Sequence, residues 1–247
     1  MDRMLYIAMT GAKESLLAQA VTTHNLANVS TTGFRADLAA FQSRPVYGPG
    51  YPSRAYSVTE GSGVDLSPGT LVPTERELDV AINGDGWIAV QAPDGSEGYT
   101  RAGDLRVDTF GRLTNGAGHP VLGNGGPIAL PPFEKLEIGA DGTLSIQPVG
   151  QAPNTLAVVD RIKLVRPDDP ASLVKGRDGL LHTPDAGAAP PDARVRLVSG
   201  MLESSNANAV EAMVSLIEQA RNFETQVKMM HAAEDNDRAA AELMRMG

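Results

Sequence analysis

The sequence predicts an α+β protein, with long N- and C-terminal helices pairing as a coiled coil around a central all-β domain of the antiparallel barrel or sandwich type. Three observations predict this. Apolar and small residues recur in steps of four and three at both ends of the chain. The middle alternates with period two between turn-forming clusters. The 247 residues include 26 Gly and 17 Pro, which suits many short strands joined by tight turns. Four segments follow from the pattern: an N-terminal helix and motif over 1–35, an extended connector over 36–75, the β-domain over 76–199, and a C-terminal helix over 200–247.

The first helix carries Leu5, Met9, Ala12 and Leu16, then Gln19, Thr23 and Leu26, a heptad seam with two polar interruptions. About 25 helical residues make a rod of roughly 37 Å. It closes at Asn25-Leu26-Ala27-Asn28-Val29-Ser30-Thr31-Thr32-Gly33-Phe34. Asn25 and Asn28 have side chains that bond free backbone groups at a helix end. Thr31 and Gly33 stop the helix, since Gly accepts positive φ, and Phe34 supplies an apolar anchor. The connector is aperiodic and rich in Pro, Gly and Tyr, as in the run Pro45–Pro52.

From Leu78 the pattern becomes that of strands. Val80 and Ile82 alternate before Asn83-Gly84-Asp85-Gly86, read as a hairpin turn into Trp87–Val90. Leu136 and Ile138 face Leu144 and Ile146 across Gly139–Gly142, a second hairpin. Leu156, Val158, Ile162 and Leu164 read as one face of a further strand, with Asp160 the exception. Thr183–Ala193 reads as a flexible linker, and Val195 and Leu197 as a last strand. Ser204-Ser205-Asn206 offers N-cap side chains for the final helix. Its seam runs Ala209, Met213, Leu216, Ala220, Phe223, Val227 and Met230, and weakens toward the C-terminus.

Composition excludes several functions. The net charge is −9, with no Lys/Arg block, so nucleic acid is not an expected partner. Cysteine is absent, which removes disulfides, thiolate metal sites and Cys nucleophiles. No apolar run approaches the ~18 residues of a membrane span, and the N-terminus lacks the pattern of a cleaved leader. His24, His119, His182 and His231 stand in four unrelated settings, so no catalytic base is indicated. His231 with Glu234 is two ligands without a third. Asn83–Gly86 lacks the glutamate that completes a calcium loop. Gly123–Gly126 precedes a strand rather than a helix, which argues against a phosphate cradle. Asp168-Asp169 reads as a solvated pair. The chain is expected to be no enzyme and to need no cofactor or metal.

A heptad helix cannot bury its stripe alone. The two terminal helices are expected to pair with each other, and the pairs to pack against equivalent pairs in other subunits. Both ends are then expected to order on assembly. Gly33→Val is expected to spoil assembly while sparing the melting of the β-domain. The competing readings are a carbohydrate- or peptide-binding β-module with helical tethers, and a secreted hydrolase; a single Trp and 4% aromatics disfavour the first.

Three motifs in order carry a family resemblance. They are Asn25–Arg35, then Leu78–Trp87 with Tyr99-Thr100-Arg101, then Gly200–Asn208 leading into the Met213–Phe223 helix. Together they resemble the axial proteins of the bacterial flagellum, the rod and hook family. His24 stands where that family more often has Asn, and Trp87 where it usually has Phe. The resemblance implies a structural subunit of the basal-body rod, nearer to proximal than to distal rod members, that transmits torque from motor to hook. It implies other rod subunits as partners, with self-association open. It also implies the flagellar type III export apparatus as a partner, export without leader cleavage, and a place in the periplasmic rod. The residues implied in assembly are those of the two seams together with Asn25, Leu26, Ala27, Asn28, Thr31, Gly33, Phe34 and Asn206.

Overall fold

The computed structural model describes residues 4–45, 55–151, 156–167, 169–184 and 187–245. The chain divides into two compact units. A helical unit gathers Met1–Val29, Ala36–Asp65 and Ala207–Gly247, and a β unit gathers Ser30–Arg35 and Leu66–Asn206.

In the helical unit, helix α1 spans Met4–Ala27 and helix α2 spans Ala209–Arg245. They lie antiparallel, since Thr22 meets Gln219 while the earlier Gly11 meets the later Gln226. The contact is close because small residues line it. Ala8 and Ala18 are buried, and a Cβ on Gly11 would come within 2.9 Å of the Gln226 side chain. The face of α1 turned inward therefore runs through Ala8, Gly11, Ser15, Ala18 and Thr22, one position off the stripe read from the sequence. Of that stripe, Ala12 is buried and Leu26 half-buried, but Leu5, Met9 and Leu16 are exposed. On α2, Ala209, Leu216, Ala220, Phe223, Val227 and Met230 are half-buried, whereas Met213 is exposed. Asn208 caps α2, its Oδ1 accepting from Val210 N at 3.0 Å. The cap thus falls two residues after Asn206, the last of the expected cap residues. From Glu234 to Arg245 every α2 side chain is exposed.

The connector contains strands. Asp37–Pro45 pairs antiparallel with Ala55–Val64, and Leu71–Pro73 pairs with Met201–Glu203 in the β unit. The centre of the Pro45–Pro52 run lies outside the described residues, as do Asp168 and part of the Thr183–Ala193 stretch.

The described strands of the β unit make several small antiparallel sheets and close no barrel. The largest orders Leu164–Val165, Trp87–Gln91, Glu97–Thr100, Leu181–His182 and Val174–Lys175. A second sheet orders Ala157–Arg161, Thr143–Pro148 and Phe133–Ile138. Their inward residues, with Leu105, Leu113, Val121 and Ile128, form one aliphatic core. Such a core needs few aromatics, because Val, Leu and Ile fill it at normal density. Leu144 pairs with Ile138 and Ile146 with Leu136, the hairpin the sequence shows.

Three sequence readings change. Val80–Asn83 pairs with Arg196–Ser199, not with Trp87–Gln91, so Asn83–Gly86 is a corner between sheets rather than a hairpin turn. Gly86 is required there, at φ +140 with Val195 Cγ1 2.6 Å from where its Cβ would stand. The Leu156–Leu164 stretch splits into two strands in different sheets, and Val158 is exposed. The described part of the Thr183–Ala193 stretch is anchored at one point: Ala189 is buried and its N–H donates to the Tyr99 hydroxyl at 2.8 Å, while Pro190, Pro191 and Ala193 are exposed.

Burial pushes the Tyr99 phenol up to about 12. The folded group stays neutral where the unfolded one ionises, near pH 10. Stability supported by Tyr99 is therefore complete below pH 10 and lost as pH rises from 10 through 12. Denaturant melts at pH 9 and pH 11.5 are expected to show that fall in the parent chain. Tyr99→Phe is expected to flatten it and to cost about 1–2 kcal/mol at neutral pH through the orphaned Ala189 N–H.

Candidate functional site: the Arg35–Glu203 junction

The three sequence motifs meet at one buried carboxylate. Glu203 ends the strand Met201–Glu203 and is 1% exposed, and Arg35, in the segment that follows α1, is 3% exposed. Arg35 Nη2 donates to Glu203 Oε1, and Gly69 N donates to the same oxygen at 2.8 Å. Arg101 Nη1 donates to Oε2 at 3.0 Å, and Arg101 Nη2 to the Gly84 carbonyl at 2.8 Å. One side chain thus ties residues 35, 69 and 101 together across long stretches of sequence.

Two guanidiniums face one carboxylate, so the cluster holds a surplus cation. Trp87, the sole Trp, compensates. The Arg35 and Arg101 guanidinium carbons lie 5.5 and 5.1 Å from its ring centroid, where the negative face of the indole attracts them. Among the described residues, Arg35 Nε and Nη1 and Arg101 Nε have no hydrogen-bond partner. Burial lowers the Arg101 pKa, Glu203 opposes that shift, and Arg35 adds to it. The Arg101 guanidinium stays protonated under such a shift.

Backbone bonds fasten the same place. Gly33 N donates to Glu203 O at 2.8 Å, and Asn206 N to Phe34 O at 3.3 Å. The Lys175 ammonium sits 4.0 Å from the Phe34 ring centroid and donates to Arg35 O at 2.8 Å. Asn206 Nδ2 donates to Ser67 O at 3.1 Å. The segment 30–35 that enters the β unit and the segment 203–206 that leaves it are therefore bonded side by side. Gly33 has φ +64, and a Cβ there would overlap the backbone carbonyl of Arg101. This corrects the expectation that Gly33→Val spares the β-domain, because the glycine is packed inside that unit.

In the helical unit, Asn25 acts as a substitute peptide group. Its Nδ2 donates to Asp37 O and its Oδ1 accepts from Asp37 N, both at 2.8 Å. His24 Nδ1 lies 2.8 Å from Asp37 Oδ2, and Asn28 Nδ2 donates to His24 O at 2.9 Å. Ala27 and Thr31 are exposed. Sequence reasoning named Gly33 and Phe34 but missed Arg35, Trp87, Arg101 and Glu203 as site residues. The available signal was a charged residue closing an apolar motif twice, in Gly33-Phe34-Arg35 and in Met201-Leu202-Glu203.

The other candidates show no catalytic arrangement. Glu234 lies 2.6 Å from Arg238 and 4.0 Å from His231, a surface ion pair on α2. Gly123–Gly126 is a tight turn, Gly123 N donating to Gly126 O at 2.7 Å, and it borders a cleft carrying the Glu97–Lys163 ion pair. The Glu97 carboxylate makes that cleft a poor phosphate cradle. Among the described residues no group of three or more His, Asp or Glu is placed to hold a metal ion.

Arg35, Trp87, Arg101 and Glu203 fall in the three windows that match family models. The model for "Flagella basal body rod protein" matches residues 5–35, which end at Arg35. The "Flagellar hook protein FlgE/F/G D1 domain" matches 81–146, which hold Trp87 and Arg101. The "Flagellar basal body rod FlgEFG protein C-terminal" matches 198–243, which hold Glu203. Along its whole length the chain is 45% identical to the flagellar basal-body rod protein FlgF of Escherichia coli, the whole of which is covered. The chain belongs to the FlgF family of flagellar basal-body rod proteins. It is 44% identical to the FlgF of Salmonella typhimurium, with both chains fully covered. It is 31% identical to the rod protein FlgG of Buchnera aphidicola, with 93% of this chain and 95% of that one covered. The relatives are structural rod proteins, and the chain is a structural protein rather than an enzyme.

Breaking the buried pair from one side leaves an uncompensated charge. Glu203→Ala is expected to destabilise the β unit by about 3–5 kcal/mol and to shift Trp87 fluorescence. Gly33→Val is expected to lower the melting temperature of the β unit as well as assembly, by overlap with the Arg101 backbone. Calorimetry and Trp emission check both. An unchanged Gly33→Val melt would show that segment 30–35 is not docked in the β unit.

Proposed function

We propose that the chain is a subunit of the proximal part of the flagellar rod, assembling helically with other rod subunits so that torque passes from motor to hook. The full-length 45% identity to a FlgF carries this reading. Matches of 45% and 44% to FlgF chains against 31% to a FlgG chain favour the proximal over the distal position.

The helical unit offers a physical means. Small residues of α1 face the gap between α1 and α2, while several large apolar residues of both helices are exposed. Leu5, Tyr6, Met9, Leu16 and Leu17 are exposed on α1, and Val210, Met213, Val214 and Ile217 on α2. The α2 residues recur at i, i+3, i+4 and i+7, one stripe of a helix. Such stripes are covered when pairs stack as coiled coils in neighbouring subunits, and an isolated pair gains little of that burial. The helices thus work as an assembly unit that orders fully on incorporation, with Leu26 and Asn25 at its junction end. The small sheets of the β unit share one aliphatic core. The subunit reaches the periplasm through the flagellar type III export apparatus. It takes no nucleic acid. Among the described residues no helix is long and apolar enough to cross a membrane.

Deleting the gene is expected to abolish swimming without affecting growth, and the parent chain supplied in trans to restore it. Leu16→Asp and Ile217→Asp are expected to leave the melting of the β unit within about 0.5 kcal/mol of the parent, since both sites are exposed. Both variants are expected to be missing from purified basal bodies. Swimming cells lacking the gene would overturn the reading, and a labelled subunit at the hook end of the rod would move it to the distal position.

A further inference from the structure

The turn Asp108-Thr109-Phe110-Gly111 leaves Phe110 81% exposed, at the tip between the strands Arg106–Val107 and Leu113–Thr114. A lone exposed aromatic is ordinary on a floppy loop. This loop is fixed. Asp108 Oδ1 accepts from Phe110 N and Arg112 N, each at 2.8 Å, and Oδ2 accepts from Arg112 Nε at 2.9 Å. These bonds hold the Asp108 carboxyl below its ordinary pKa, the Arg112 backbone bond contributing most. Gly111 sits at φ +79, its would-be Cβ 2.6 Å from Leu130 O, and Leu130 N donates to Gly111 O at 2.7 Å. That last bond sets the exposed pair Pro131-Pro132 beside the tip, an apolar wall with no N–H to offer.

Charge completes the patch. The guanidiniums of Arg112 and Arg106 are mostly exposed, while their partners Asp108 and Asp104 are mostly covered. Arg112 also leans on the ring, 5.7 Å from its centroid. The outward face is therefore cationic around an aromatic, on a chain whose net charge is −9.

We infer that Phe110, with Pro131, Pro132, Arg106 and Arg112, is a preformed docking knob for an adjacent axial subunit that presents an apolar recess edged by carboxylates. A fixed aromatic flanked by Arg is the composition of an interface hot spot, and its rigidity removes the ordering cost of docking. The inference rests on the rod reading, and it adds a contact made by the β unit to those made by the helices.

The test uses the full chain in a strain deleted for the gene, with the parent chain restoring swimming as the check on the rod reading. Phe110→Ser is expected to melt within about 2 °C of the parent, because the side chain is hardly buried. It is expected to reduce swimming, with Phe110→Tyr restoring it. Arg112→Glu is expected to impair swimming too, by meeting carboxylates. A photo-crosslinking phenylalanine at position 110 is expected to join the chain, in purified basal bodies, to an axial subunit near Asp or Glu. Normal swimming by Phe110→Ser and no cross-link, while the parent complements, would overturn the knob and leave the rod reading intact. A parent chain that fails to complement would instead overturn the rod reading.

Discussion

The constraint on which the rest depends is the burial of Glu203 between two arginines. Isolated in a core, a carboxylate costs several kcal/mol; here it accepts from Arg35, Arg101 and Gly69. Glu203 lies near the end of the chain, and its partners come from the start and the middle. Segment 30–35 can occupy its place only when the strand at 201–203 and the loop at 101 are already placed. A hydrophobic contact would tolerate sliding by a residue or two. A carboxylate with three directional donors does not, so the cluster fixes register as well as closure.

That role suits a structural subunit. Buried ion pairs add little net stability compared with apolar packing, and their best-attested use is to specify one arrangement. The Trp87 ring attracts both guanidiniums, and Gly33 lets the chain pass close enough to the Arg101 backbone for the bond to Glu203 O to form. The motif read from the sequence as a helix terminator is thus divided between two tasks. Asn25 and Asn28 finish α1, whereas Gly33, Phe34 and Arg35 belong to the β unit.

Much of this was legible in sequence. The heptad spacing showed helices at both ends, and the 136–146 alternation showed a hairpin with its register. What failed, failed for physical reasons. Helix α1 carries two heptad stripes one residue apart, one of large residues and one of Ala, Gly, Ser and Thr. Hydrophobicity favours Leu5, Met9 and Leu16 for the inside, but only the small stripe lets α2 approach closely. Which stripe faces the partner depends on the partner, and a single chain does not encode that locally. The corner at Asn83–Gly86 has the composition of a hairpin turn, and its real use is set by the pairing of Val80–Asn83 with a strand more than a hundred residues later. Arg35 and Glu203 look like surface charges in sequence, since their burial is possible only because they find each other.

The most direct test of the central claim is a double-mutant cycle on Arg35→Met and Glu203→Leu, read by denaturant unfolding with Trp87 emission. The account predicts that each single change is strongly destabilising. The pair together should cost less than the sum of the two, with a coupling of at least about 2 kcal/mol, while Arg101 and the Gly69 N–H still lose their carboxylate. Additive single effects, with a coupling near zero, would mean that Glu203 does not organise the junction and would contradict the account.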